Sequence, residues 1–277
     1  MKWKQFFTPV KSMNADQVRT FLKDRTSEDV VILDVRQPKE YKQGHLPGAK
    51  LIPMGELDTR LSEIETEKEK LVYCAIGGRS RMAVQMLSGK GFTKLINFSG
   101  GYKAWNGEAA YGLPDQGLEL FSGNESLETV LAVAYSLEDG LRDFYIEMAG
   151  QVENESAKTL FMKLSEIEIK HQDRIYREYA KIADQLQSRE EFVLSKISNT
   201  VEGGLSTQEY IRAFNANLNS PVEVTELAMS IEAQALDLYF RASENIQDKE
   251  CKGALTTLAD EERAHLKALS ELMDKLF

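Results

Sequence analysis

The chain has only two cysteines in 277 residues, Cys74 and Cys251. They lie far apart and make no disulfide framework, which points to a reducing setting and so to the cytoplasm. No apolar run approaches the roughly 18 residues that a membrane helix needs, so no membrane partner is expected. The opening stretch, "MKWKQFFTPV", lacks a long apolar core and a small-residue cleavage site. It reads as neither a signal peptide nor an anchor. A basic stripe is also missing, which argues against nucleic acid. Residues 1–120 hold 18 Lys and Arg against 15 Asp and Glu, and the remainder holds 16 against 29. The first part can attract a small anion. The second can attract cations, although a solvated acidic helical face is the more frequent reason for such a bias.

What is present follows two different periods. "VVILDV" (30–35), "KLIP" (50–53), "KLVYC" (70–74) and "KLINF" (94–98) are short and apolar, as buried parallel strands are. Helical stretches lie between them, "NADQVRTFLKD" and "SRMAVQMLSGKG", the latter stopped by Gly91. This alternation predicts an α/β domain with a mainly parallel sheet. The segment 106–126 is rich in Gly and Pro and has no period. Beyond Ser126, apolar residues recur every three or four positions in 127–149, 157–186, 222–246 and 251–276. Pro221 suits a first helical turn, and 187–220 reads as two short helices. The expectation is two domains: an α/β domain (1–110), a linker (111–125) and an all-α four-helix bundle of the ferritin-like kind (126–277).

Cys74 ends a predicted strand, and a helix is expected to begin six residues later at Ser80. Such a loop aims backbone N–H groups and the positive end of a helix dipole at the sulfur, which lowers a thiol pKa and makes a nucleophile. Gly77 and Gly78 let the chain curl tightly. Arg79 adds a cation able to grip an anionic substrate. Cys74 and Arg79 are therefore the candidate catalytic residues, with Ala75, Ile76, Gly77, Gly78, Arg79 and Ser80 as the binding loop.

"LDVR" (33–36), Glu40, "GHLPGA" (44–49), "CAIGGRS" (74–80) and "SGGYKAW" (99–105) resemble the rhodanese family in order and spacing, over about residues 10–107. The resemblance implies that Cys74 carries sulfur as a persulfide. It also implies that Arg79 and the loop amides bind a small anionic sulfur donor, and that a thiol accepts the sulfur. Asp34, Arg36 and His45 match positions that are mainly structural. Four residues separate Cys74 from Arg79, as in rhodaneses, where the related phosphatases have five; sulfur transfer is thus favoured over phosphate hydrolysis.

The helical part repeats itself at an offset of 94. "SLEDGLRDFY" (136–145) matches "SIEAQALDLY" (230–239), and "EIKH" (168–171) matches "ERAH" (262–265). Glu138 thus pairs with Glu232, Glu168 with Glu262, His171 with His265, and Tyr145 with Tyr239. Residues i and i+3 share a helix face, so each Glu-x-x-His can project both side chains inward. One further Glu from each of the other two helices completes four carboxylates and two imidazoles, the ligand set of di-iron carboxylate bundles. Tyr145 and Tyr239 are read either as hydrogen-bond donors behind the ligands or as core aromatics.

This pattern resembles the rubrerythrin branch of the ferritin-like superfamily, over about residues 125–277. The resemblance implies Glu138, Glu168, His171, Glu232, Glu262 and His265 as ligands of two iron ions, with manganese or zinc as alternatives. Rubrerythrins carry paired Cys-x-x-Cys motifs, absent here, and a further glutamate where this chain has Ala235. An external electron donor is therefore expected. The combined expectation is a sulfurtransferase coupled to a di-iron redox domain acting on oxygen, peroxide or sulfur species. The alternative is an iron-binding or sensing protein with the first domain as persulfide carrier. A homodimer is compatible with either.

Overall fold

The computed structural model describes residues 10–23, 25–105, 107–112, 117–121, 123–182, 189, 192 and 217–273. The chain forms two units, Met1–Pro114 and Asp115–Phe277. Among the described residues no helix is long and apolar enough to cross a membrane. The two short helices expected within 187–220 lie almost wholly outside the described residues.

The first unit is an α/β fold. Strands β1 (Ser12–Met13), β2 (Val30–Asp34), β3 (Ala49–Leu51), β4 (Glu69–Tyr73) and β5 (Leu95–Phe98) form one parallel sheet, ordered β1-β5-β4-β2-β3. Helices α1 (Ala15–Lys23), α2 (Pro38–Lys42) and α3 (Gly78–Gly89) lie between strands, and α4 (Gly101–Ala104) follows β5. All five residues of β2 are buried, because helices cover both faces of the sheet. Strand alternation then sorts the core. Val30, Ile32, Leu71 and Tyr73 pack with Val18 and Phe21 of α1, whereas Leu33, Val72 and Cys74 pack with Ala83, Val84 and Leu87 of α3. Cys74 thus falls on the α3 face at the carboxyl end of β4. The chain order reverses between β2 and β4, the place where open α/β sheets bind ligands.

The neighbourhood of the β2 end is fixed by a buried ion pair. Arg36 Nη2 lies 2.6 Å from Asp34 Oδ2 and also donates to the Gly44 carbonyl at 2.8 Å. His45 stacks on Tyr41 at 3.5 Å, and its Nδ1 lies 2.9 Å from the Tyr41 carbonyl. These contacts tie the turn after α2 to the sheet. Helix α3 begins at Gly78, two residues before the expected start at Ser80, so Arg79 lies in its first turn.

The second unit is a bundle of α5 (Leu127–Gln151), α6 (Glu155–Ile182), α7 (Pro221–Asn245) and α8 (Lys249–Met273). Helix α5 packs along α6 and α7 along α8; α8 meets α5 and α6 meets α7 across the bundle. The sequence repeat extends to the helix ends. Ser126 Oγ accepts the Thr129 N–H, and Ser220 Oγ accepts the Glu223 N–H, both N-caps satisfying an otherwise orphaned donor. Asn154 Oδ1 caps α6 through the Ser156 and Ala157 N–H groups, and Asp248 Oδ1 caps α8 through Glu250 and Cys251. Residues 117–121 fall within the expected linker yet belong to this unit: a 3₁₀ turn, Leu118–Leu120, leads into Phe121, and these side chains pack on the bundle core.

Candidate functional site

The Cys74 loop is shaped by two glycines whose backbones no other residue fits. Gly77 caps α3 at φ 95°, and a Cβ there would lie 2.1 Å from the Ser99 carbonyl oxygen. Gly101 has φ +59°, and its Cβ would lie 2.3 Å from the Cys74 carbonyl oxygen. With neither Cβ present, α4 closes on the loop: the Tyr102 N–H donates to the Cys74 carbonyl at 2.7 Å and the Lys103 N–H to Ala75 at 3.0 Å. The loop carbonyls are thus drawn toward α4, while the Gly77 N–H donates to Cys74 Sγ at 3.1 Å.

Burial pushes the Cys74 thiol up, but the Ser80 amide and hydroxyl and the Ile76 and Gly77 amides outweigh it, so its pKa lies below the ordinary thiol value. Ser80 Oγ lies 3.7 Å from Sγ and 2.6 Å from Asn97 Oδ1; its single proton serves the shorter contact first. Of the loop residues, Gly77 and Ser80 are buried, Ala75 and Arg79 half-buried, and Gly78 and Ile76 exposed.

Arg79, read from the sequence as a cation able to grip an anion, meets a carboxylate of the chain itself. Its Nη1 and Nη2 donate to Glu40 Oε2 and Oε1 at 2.8 and 2.7 Å, a bidentate pair. The Arg79 hydrogen bond, working against burial, holds the Glu40 carboxyl at about 2. Sequence reasoning registered Glu40 only as a family position. It also passed over Asn97, whose signal was a polar residue inside an apolar strand.

In the bundle, Glu138, Glu168 and His171 offer donor atoms within 4.8 Å of one another, and Glu232, Glu262 and His265 do the same. His171 Nδ1 lies 2.8 Å from Glu168 Oε2 and 3.3 Å from Glu138 Oε2. His265 Nδ1 lies 2.8 Å from Glu262 Oε2 and 3.4 Å from Glu232 Oε2. The two rings stack at 4.0 Å, so both triads form one cluster. All four glutamates are buried. Burial lowers the His265 pKa, but the Glu232 carboxylate, helped by Glu138 and Glu261, raises it above the usual value. Burial in turn pushes Glu232 up, and His265 overrides it to leave Glu232 low. Four buried carboxylates facing two imidazoles carry excess negative charge, which two divalent cations would balance. The donor set therefore fits a pair of metal ions.

The repeat fails in the surrounding shell. Arg142 pairs with Asp139 at 2.8 Å and donates to Gln172 Oε1 at 3.2 Å, and Gln172 Nε2 donates to Asp139 Oδ1. The equivalents 94 residues on are Leu236, Ala233 and Leu266. Arg174 and Glu261 form an ion pair between α6 and α8. Tyr145 and Tyr239 are fully buried in the apolar clusters, Tyr145 beside Phe144 and Phe161.

The rhodanese-like domain family matches residues 17–108 and the rubrerythrin family matches residues 129–273. The chain belongs to the rubrerythrin family and carries a rhodanese-like domain ahead of that part. Among curated relatives, YqhL of Bacillus subtilis is 42% identical over 77 residues, 28% of this chain and 61% of that protein. A protein named sulfurtransferase from Allochromatium vinosum is 39% identical over 88 residues, 32% of this chain and 79% of its own length. Thiosulfate sulfurtransferase GlpE of Pseudoalteromonas translucida is 36% identical over 84 residues, 30% of this chain and 78% of its own. The match thus spans less than two thirds of the first relative, and each alignment covers under a third of this chain.

Proposed function

We propose that the protein is a sulfurtransferase joined to a two-metal redox centre. The observation that supports the first half is the Cys74 cradle, in which three backbone amides and one hydroxyl favour the thiolate. The thiolate attacks the outer sulfur of a sulfane-sulfur donor. The donor's S–S bond breaks, its electron pair leaves with the remainder, and a persulfide stays on Cys74. Loop amides at the start of α3 hold the terminal sulfur as they hold the thiolate. An external thiol then takes the sulfur and restores Cys74.

In the bundle, Glu138, Glu168 and His171 would hold one metal ion and Glu232, Glu262 and His265 the other. Carboxylate and imidazole donors suit iron, and manganese or zinc less specifically. Redox-active ions there would supply electron exchange with oxygen, peroxide or a sulfur species, drawing on an external electron donor. The chain's own part is to bury and orient the six donors.

Two measurements test this reading together. Purified protein should release thiocyanate from thiosulfate and cyanide, and anaerobic metal analysis should find about two ions per chain. Less than one ion per chain after iron reconstitution would sink the second half. Saturation at about two, rather than continued uptake, separates a redox centre from a store.

A further inference from the structure

We propose that Glu40 sets the donor class of the Cys74 site: by neutralising Arg79 it disfavours dianionic thiosulfate and favours persulfide donors, R–S–S–H. This rests on the sulfur-transfer reading above and carries it to a substrate class.

The pair lies where a donor must arrive. Glu40 is on α2, which follows β2, and Arg79 is on α3, which follows β4, so their contact spans the reversal point of the sheet. Both carboxylate oxygens are engaged by the guanidinium. Glu40 is also fixed by the Gln37 N–H, which donates to Oε2 at 3.1 Å in the capping box of α2. Arg79 directly precedes Ser80, whose Oγ lies 3.7 Å from Sγ, in the first turn of α3. A dianion reaching Cys74 therefore meets a cation already matched by a carboxylate that stays ionised wherever the thiol reacts. What attracts sulfur at the floor of the cradle is the set of amides, which need no net charge on the donor.

The chemistry separates the two donor classes. With a persulfide, the Cys74 thiolate attacks the outer sulfur and R–S⁻ departs with the electron pair of the broken S–S bond. The outer sulfur and its proton remain as Cys74–S–S–H. With thiosulfate the same attack expels sulfite, which must carry two negative charges past Glu40.

The test begins with a reaction that needs no sulfur transfer. Alkylation of Cys74 is followed with anionic iodoacetate and neutral iodoacetamide, at a pH where the thiol is ionised. Glu40→Gln keeps the side-chain size and an acceptor for the Gln37 N–H. It should raise the iodoacetate-to-iodoacetamide rate ratio by about three- to tenfold, the size expected for unmasking one charge in a partly exposed, screened site. Arg79→Gln, which leaves the Glu40 carboxylate without its cation, should move the ratio the other way, below that of the wild type. In transfer assays, Glu40→Gln should lower KM for thiosulfate by a similar factor with kcat little changed, and leave kcat/KM for 2-hydroxyethyl persulfide unchanged. A Glu40→Gln ratio within about twofold of the wild type, or an Arg79→Gln ratio no lower than the wild type, overturns the proposal. A raised ratio with no transfer from either donor overturns the sulfur-transfer reading instead of the electrostatic gate.

Discussion

Between Tyr73 and Ser80 the surroundings of the sulfur are mostly main chain: the amides of Ile76, Gly77 and Ser80 around Sγ, with Ile76's own side chain turned out to solvent. In the bundle the surroundings are side chains from four helices, and the backbone's N–H groups there are spent within the helices. A contiguous loop tolerates changes of side chain and suffers from changes of backbone. A centre assembled from distant helices does the reverse. Each of the following expectations would sharpen or break that contrast.

The largest effect is expected at the sulfur itself, the side chain on which the proposed transfer rests. Cys74→Ser should reduce thiocyanate formation to background while leaving the metal content of the bundle unchanged. Persisting activity would remove Cys74 from the reaction. Next come the glutamates. Glu262→Ala or Glu168→Ala should lose metal, because each removes a buried donor from its triad. The thermal midpoint should fall as ligand-linked stability is lost, about 2.7 kcal/mol if metal is present at a hundred times its Kd. A chelator should cause the same fall in the wild type and none in the variant. Glu166 is two residues from Glu168 but exposed, so Glu166→Ala should bind metal normally.

A third change strikes the backbone of the loop. Gly77→Ala forces φ 95° on an L-residue and drives its Cβ to 2.1 Å from the Ser99 carbonyl. It should cost about 1–3 kcal/mol of stability and lower transfer well beyond Ile76→Ala, a change at a residue that is 66% exposed. Equal loss in the two variants, measured by denaturation and by turnover, would show that side-chain contacts matter as much as the curl.

The same contrast explains what could be read from the residues. The cradle is local, so "CAIGGRS" displayed its thiol, glycines and arginine together. The cluster is not local and became visible only because the chain repeats at 94 residues, through to the Ser126 and Ser220 caps. The pairing of Arg79 with Glu40 bridges 39 positions with no repeat to expose it. Helix α3 starts early because Gly77 takes the left-handed cap, which lets Gly78 and Arg79 join the helix. The polar set of Asp139, Arg142 and Gln172 escaped notice because its counterparts are apolar and the repeat breaks there.

The smallest expected effect concerns Ser80, the side chain with a share in the thiolate's environment. Its amide ranks ahead of its hydroxyl among the groups that lower the Cys74 pKa, and Asn97 Oδ1 holds the hydroxyl at 2.6 Å. Ser80→Ala keeps the amide and loses the hydroxyl. The deprotonated sulfur then loses one donor, so the inflection in iodoacetamide alkylation against pH should move up and yet stay below that of a free thiol. Asn97→Ala should move it the other way, since the Ser80 proton is released toward Sγ. The sign carries over to stability. A depressed thiol pKa stabilises the folded state above the unfolded thiol's pKa, and this contribution is lost as pH falls through the folded pKa. The advantage of wild type over Ser80→Ala should therefore be larger in alkali than near neutrality. If Ser80→Ala instead carries the inflection past that of a free thiol, a side chain dominates the cradle and the contrast with the bundle fails.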